Sequence, residues 1–292
     1  MNEKIGYGKA HSKIILMGEH AVVYGYPAIA LPLTDIEVVC HIFPADKPLT
    51  FDFYDTLSTA IYAALDHLQH LEEPIAYEIV SQVPQKRGMG SSAAVSIAAI
   101  RAVFSYFQKS LPDELLEILV NKAEIIAHTN PSGLDAKTCL SDHAIKFIRN
   151  IGFETIKIDL GAFLIIADTG VHGHTREAVG KVAQFEETNL PYLAKLGRLT
   201  EAVEQAITQK DNQTIGQLMT QAHSALKAIG VSITKADQLV DVALKAGALG
   251  AKMTGGGLGG CMIALADTKE MAETISHKLQ EEGAVNTWIQ ML

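Results

Sequence analysis

Three glycine-containing segments and two isolated carboxylates hold the residues whose types could do chemistry. Lys13-Ile14-Ile15-Leu16-Met17-Gly18-Glu19-His20 brings an amine, a carboxylate and an imidazole to the edge of one short strand. Taken singly, Lys13 and Glu19 read as well as a solvated ion pair, and His20 as a structural histidine. Gly88-Met89-Gly90-Ser91-Ser92 precedes an alanine-rich apolar run. Glycines let a backbone approach a ligand closely, and the amides that open a helix attract anions. Ser91 and Ser92 add hydroxyls, and Lys86 and Arg87 add cations, so the segment reads as a phosphate cradle. A glycine turn capped by serine reads equally well from this segment alone, and the GxxxxGK[ST] pattern is absent. Gly255-Gly256-Gly257-Leu258-Gly259-Gly260 is formally GxGxxG, but Cys261 to Leu265 continues it as a strand. A dinucleotide fingerprint must open a helix, which argues against that fold. A protein-kinase glycine loop would need catalytic-loop and DFG motifs, and neither occurs. Five glycines in six residues lose much chain entropy on ordering, which disfavours a purely structural hairpin.

Asp135 follows Asn130-Pro131-Ser132-Gly133-Leu134 and precedes Lys137. A carboxylate beside a lysine can accept or orient a hydroxyl proton, although an Asp capping the next turn is the plain alternative. Glu124 sits at the edge of an apolar helix face, where an ordinary surface glutamate would also stand. His172 and His174 lack an acid or Cys at zinc-site spacing, so no zinc site is assigned.

The elements that must position these groups follow from periodicity. Ser12 to Met17 and Ala28 to Leu33 are predicted strands. Ile36, Val38, Cys40 and Ile42 alternate as a half-buried strand, as do Tyr77, Ile79 and Ser81. Ala93 to Phe107 is a predicted helix. Pro112 to His128 is another, with Leu115, Leu119, Ala123 and Ile126 on its apolar face and Ser110 as its cap. Further on come a strand at Ala162 to Ala167 and helices near 176–182, 193–208, 215–228 and 235–245. Strands at 248–253 and 260–265, a helix at Lys269 to Glu281 and a strand at 284–289 complete the chain. With the middle helices set aside as an insertion, the order is β-α-β-β-α-β, the ferredoxin-like plan. A boundary is expected near residues 160 to 180, giving domains 1–170 and 171–292.

With 292 residues, 48% hydrophobic and 20% charged, the chain can bury a sizeable core and is neither disordered nor disulfide-rich. The net charge of −9 argues against a nucleic-acid partner. No apolar run reaches the ~20 residues of a spanning helix, and no signal peptide is read at Met1-Asn2-Glu3-Lys4. Cys40, Cys139 and Cys261 make no CxxC pair. They read as small buried hydrophobes in a reducing, cytoplasmic setting.

Together and in order, the three segments resemble the motifs of the GHMP kinases. These are Lys13 to Pro27, Val83-Pro84 through Ala94, and Lys252-Met253-Thr254-Gly255 through Cys261. Gly18-Glu19-His20-Ala21-Val22-Val23-Tyr24-Gly25 and Asn130 to Asp135 resemble the members that act on mevalonate. Galactokinases usually continue Gly-Glu-His with Thr-Asp-Tyr, and phosphomevalonate kinases typically have Tyr where His20 stands. At Lys86 and Arg87 the chain departs from the small residues usual in the family, which would add cations beside the phosphates.

The resemblance implies an α+β protein, with an S5-like N-terminal ATP-binding domain and a ferredoxin-like C-terminal domain. It implies ATP-dependent phosphorylation of the primary hydroxyl of (R)-mevalonate. Asp135 would be the base or orienter and Lys13 its partner, lowering the hydroxyl pKa; Glu19 and His20 would contact mevalonate. Gly88, Met89, Gly90, Ser91 and Ser92 would hold the ATP phosphates, and Ser92 and Glu124 would ligate Mg²⁺. Gly255, Gly256, Gly257 and Gly259 would close near substrate and terminal phosphate, and Thr175 would approach the substrate. No membrane partner is implied, and a homodimer is left open. The rival readings are another small-molecule GHMP kinase and a catalytically silent nucleotide-binding regulator. The joint presence of Lys13, Ser92, Glu124 and Asp135 argues against the silent form.

Overall fold

The structure is a computed structural model that describes residues 4–127 and 133–292. Residue contacts divide the chain into two compact units. The first comprises Met1–Lys13, Pro32–Gln85 and Gly90–Asp142; the second comprises Ile14–Leu31, Lys86–Met89 and His143–Leu292. The units interleave along the sequence, a division that no single cut at 170/171 reproduces, because strands β1 (Gly6–Met17) and β2 (Ala28–Pro44) each run from one into the other.

Strand β2 is one continuous strand where the sequence pattern suggested two. Ile36, Val38, Cys40 and Ile42 are all buried, as their alternation requires. Strand β3 (Ile75–Ser81) pairs antiparallel with it, Cys40 opposite Ile79 and Ile42 opposite Tyr77. Only Ile75 of β3 is buried, and Tyr77 is 39% exposed, so the alternation there marks a strand but not a core face.

Helix α1 (Thr56–Leu68) was not expected, although its signals are present. Asp55 caps it by accepting from the Ser58 amide at 2.7 Å, and Ala60, Ile61, Ala64 and Leu65 recur at helical spacing and are buried. Helix α2 (Ser91–Tyr106) buries Ala94, Ala98 and Ala102 among its larger residues. Such small side chains let β1 pass so close that a Cβ on Gly8 would strike the Ala98 carbonyl.

Helix α3 (Asp113–Ala127) buries Leu116, Leu119, Val120 and Ala123. The expected face is thus rotated: Leu115 is only half-buried, and Leu116 and Val120 take its place. The Leu116 amide donates to the Pro112 carbonyl, so Pro112, not Ser110, stands at the cap position. The expected helix end at His128 and residues Asn130, Pro131 and Ser132 lie outside the described residues. Gly133 then opens α4 (Leu134–Cys139).

In the second unit, β4 (Ala144–Ile148) and β5 (Gly152–Ile156) form a hairpin, and β4 pairs with the start of β2. This hairpin was missed, because its strands are short and largely exposed on β5. The remainder follows the expected order. Strand β6 (Phe163–Asp168) leads into α5 (Thr175–Gln184), α6 (Glu186–Gln209), α7 (Asn212–Ala228) and α8 (Thr234–Lys245). Then come β7 (Gly250–Met253), β8 (Cys261–Ala266), α9 (Lys269–Glu281) and β9 (Asn286–Met291). The antiparallel sheet has the order β7-β8-β6-β9, which is ferredoxin-like, with the helices α5 to α8 occupying the first crossover. Leu239, Val240 and Ala243 of α8 and Ala272, Ile275 and Leu279 of α9 cover one face of this sheet. Fully burying each of the larger side chains contributes about 1.5–3 kcal/mol.

Candidate active site

In the first unit, strand β1 carries Lys13, which is 2% exposed. Its Nζ lies 2.8 Å from Asp135 Oδ1 on the first turn of α4, and the Asp135 side chain is 34% exposed. A buried ammonium therefore meets a carboxylate that still faces solvent. That arrangement pairs Asp135 with an enclosed amine while leaving its carboxylate open to solvent.

The Lys13 stem packs against Gly90, where φ is +69° and an added Cβ would come within 2.8 Å of Lys13 Cγ. Both the backbone angle and the space require glycine there. Gly90 also caps α2, whose first-turn amides have no partner within the helix, an arrangement that attracts anions. From that turn the Ser92 hydroxyl donates to Glu124 Oε1 at 2.6 Å. Glu124 is 3% exposed, so it is not the surface glutamate that its position on the α3 face allowed. Cys139 lies beside this group, and burial raises its thiol pKa, which makes it a poor nucleophile. All three cysteines are buried.

In the second unit the residues after β1 take a different set of partners. Glu19 and Lys252, both essentially buried, form an ion pair. Lys13 and Glu19 are thus not a solvated pair; each is committed to a carboxylate or amine from a distant segment. Lys252 also donates to the Met253 carbonyl at 2.8 Å, and burial lowers its pKa against the raising influence of Glu19.

His20 has φ +60° and ψ −44°, and the Ala21 amide donates across it to the Glu19 carbonyl at 2.6 Å. This is the positive-φ form of the γ-turn, a strained conformation that persists where the surroundings over-determine it, often at functional sites. His20 Nε2 donates to the Gly256 carbonyl at 3.0 Å, because a carbonyl can only accept. Burial lowers the His20 pKa to about 4. The ring is neutral near pH 7, with Nδ1 as an acceptor. The ring can therefore receive a hydroxyl proton at Nδ1. A Cβ on Gly256 would collide with the Thr175 hydroxyl, which ties the glycine loop to the start of α5.

Arg87 Nε lies 2.7 Å from Asp168 Oδ1 in the same unit. The expectation that both Lys86 and Arg87 offer their charge to phosphates is thereby corrected. Lys86 is exposed, whereas Arg87 is matched by an internal carboxylate.

Residues 57–142 match the GHMP kinases N terminal domain, and residues 202–285 match GHMP kinases C terminal. A mevalonate kinase of Thermococcus sibiricus is 34% identical, with 89% of each chain covered. The chain belongs to the mevalonate kinases of the GHMP kinase family. The mevalonate kinase of L. major in complex with R-mevalonate is structurally similar, with a TM-score of 0.85 and 26% identity. It covers 99% of this chain and 95% of its own. Mevalonate kinase from methicillin-resistant Staphylococcus aureus MRSA252 is 32% identical over 99% of each chain, with a TM-score of 0.76. As in this family, the chain is an ATP-using kinase of α+β fold. Sequence reasoning quoted Lys252 within the third motif but gave it no role, and it passed over Asp168. Their signal was weak: one charge in an apolar strand pattern and one at the end of another. A lone charge inside a buried strand is nevertheless rarely unpaired, and that rule would have flagged both.

Proposed function

We propose that this chain transfers the terminal phosphate of ATP to the primary hydroxyl of (R)-mevalonate, giving 5-phosphomevalonate and ADP. The observation that carries this reading is the pair of buried Lys13 and half-exposed Asp135, within a chain of the mevalonate kinase family. Asp135 accepts the hydroxyl proton, or holds it until the oxygen has attacked. In a loose phosphoryl-transfer transition state the proton leaves late, so Asp135 need not be strongly basic. Lys13 orients Asp135 and stabilises negative charge on the attacking oxygen. The amides of Gly88 to Ser92 cradle the phosphates at the start of α2. Glu19, fixed by Lys252, and His20, fixed by Gly256, bind the polar groups of mevalonate as acceptors of its hydroxyl protons. Gly255, Gly256, Gly257 and Gly259 cover the substrate and terminal phosphate, and Thr175, against Gly256, approaches the substrate.

The residues present suit a magnesium ion. Mg²⁺ takes hard oxygen ligands, usually one or two carboxylates together with substrate phosphates. The Ser92 hydroxyl and the buried Glu124 carboxylate offer two such oxygens, already paired with one another. When bound there with ATP, the ion would neutralise phosphate charge. Three buried, unbridged cysteines accord with a reducing cytoplasm. Among the described residues, no helix is long and apolar enough to cross a membrane.

Mass-spectrometric analysis of reactions containing mevalonate and ATP tests the reading. Phosphomevalonate is expected from the unaltered protein and nearly none from Asp135→Asn. ADP formed at the same rate without mevalonate, and no phosphorylated product, would contradict it.

A further inference from the structure

The mechanism leaves unused a largely buried charge pair, Arg87 with Asp168. We propose that Arg87 is a positioning residue, whose pairing with Asp168 clasps the phosphate loop to the glycine loop and thereby sets the affinity for ATP. The proposal rests on reading Gly88 to Ser92 as the ATP-phosphate loop, and adds how that loop is held.

Three segments far apart in sequence are stitched together here. Asp168, the last residue of β6, has its Oδ1 2.7 Å from Arg87 Nε and also accepts from the Gly170 amide at 2.8 Å. Arg87 Nη2 donates to the Gly170 carbonyl at 3.2 Å. The backbone follows the side chain. The Lys86 carbonyl accepts from the Gly173 amide at 2.8 Å, and the Arg87 carbonyl accepts from the Cys261 amide at 3.2 Å. The Gly260 carbonyl in turn accepts from the Thr169 amide at 3.1 Å and its hydroxyl at 2.6 Å. The loops themselves touch without side chains between them. A Cβ on Gly255 would lie 2.9 Å from Gly88 Cα, and one on Gly260 would lie 2.8 Å from the Arg87 carbonyl. A displacement of Arg87 is therefore passed on to both loops.

The chemistry of the pair favours positioning over bulk stability. Asp168 is 5% and Arg87 12% exposed. A buried ion pair is often no more stabilising than apolar side chains of the same size, whereas here the side chain is also anchored by the Nη2 donation to the Gly170 carbonyl. The competing role is a direct contact between the Arg87 charge and phosphate. Asp168 decides between the two, since a direct contact does not need it.

The experiment compares Arg87→Gln, Asp168→Asn, the double variant and Arg87→Lys with the unaltered protein. It measures steady-state constants, thermal midpoints and amide exchange. Arg87→Gln and Asp168→Asn should each raise KM for ATP by about 10-fold, since small misplacements are costly in such sites. KM for mevalonate should stay nearly constant. The double variant should be no worse than either single one, as expected of partners in one interaction. Exchange at the Gly173 and Cys261 amides should quicken in each, and Arg87→Lys should recover part of the ATP affinity. Should Arg87→Gln not fold, Asp168→Asn and Arg87→Lys carry the comparison. An Asp168→Asn variant with unaltered KM for ATP and unaltered exchange overturns the proposal. So do single effects that multiply in the double variant, which would mark a direct phosphate contact. ATP-dependent protection of residues 88–92 in the unaltered protein tests the loop reading separately. Its absence would remove that reading, while faster exchange in the variants would still report the clasp.

Discussion

Lys13 and Asp135 meet under unequal solvation, the amine enclosed and the carboxylate half open. Asp135→Asn keeps the shape but removes the proton acceptor and the charge. Its kcat should fall by ~10² or more, the lower range for losing a positioned acid–base group, with nucleotide affinity largely retained. Initial rates and nucleotide titration check this; joint loss of fold and of ATP binding would make Asp135 structural. His20 carries a second prediction. Its folded pKa of about 4 lies below the unfolded value of 6.5, because burial disfavours the charged ring. Between those values the unfolded chain binds the extra proton, so this contribution to stability is intact above pH 6.5 and lost as pH falls toward 4. From pH 7 to pH 5 the loss is about 2 kcal/mol. Denaturant unfolding of His20→Gln should show a correspondingly smaller fall over that interval, and an equal fall would place the sensitivity elsewhere. Lys13, Glu19, His20, Ser92, Glu124 and Asp135 could be named from residue type and motif. Their partners could not. Pairing depends on which distant strands become neighbours, and nothing local to Glu19 announces Lys252.

Helix α2 opens at the proposed phosphate loop, and Ser92 on its first turn donates to Glu124 of α3. If Ser92 and Glu124 hold Mg²⁺, Ser92→Ala and Glu124→Gln should each raise the Mg²⁺ needed for half-maximal rate by ~10-fold or more, the scale seen when a metal site loses a supporting group. High Mg²⁺ should restore part of the rate in at least one variant; ordinary activity of both at low Mg²⁺ would remove them from the site. The glycine loop between β7 and β8 makes a steric prediction. Gly256→Ala places a methyl group against the Thr175 hydroxyl and shifts the carbonyl that fixes His20. Overpacking of this kind costs typically ~1–3 kcal/mol. The variant should show a lowered thermal midpoint and a raised KM for mevalonate, and Thr175→Ser should not restore them, because the clash includes the hydroxyl itself. At this scale most helices and strands of the second unit were legible to within two residues, but α6 begins at Glu186, well before the expected start near 193. Helix α1 and the β4–β5 hairpin were not legible. Exposure of β5 removes the alternation that marks a strand, and the apolar spacing of α1 was passed over beside the glycine motifs.

At the scale of the whole molecule, the ferredoxin-like order was readable because β6 and β8 are apolar runs and the helices between the strands are strongly periodic. The interleaving of the two units was not readable, since nothing in β1 or β2 marks where one unit yields to the other. Family membership fixes the kinase chemistry, and on the proposed reading the acceptors Glu19 and His20 bear on substrate choice. A site built from buried polar groups rejects molecules that leave those groups unpaired, at ~1–3 kcal/mol for each. The most direct measurement is kcat/KM for mevalonate, phosphomevalonate, galactose and homoserine, by coupled ADP release with a no-substrate control. Mevalonate should exceed each of the others by ~10² or more, as two or more unpaired groups would require, and His20→Ala should raise KM for mevalonate more than KM for ATP. Faster turnover of any of the other three substrates, or an effect of His20→Ala on ATP alone, would contradict it.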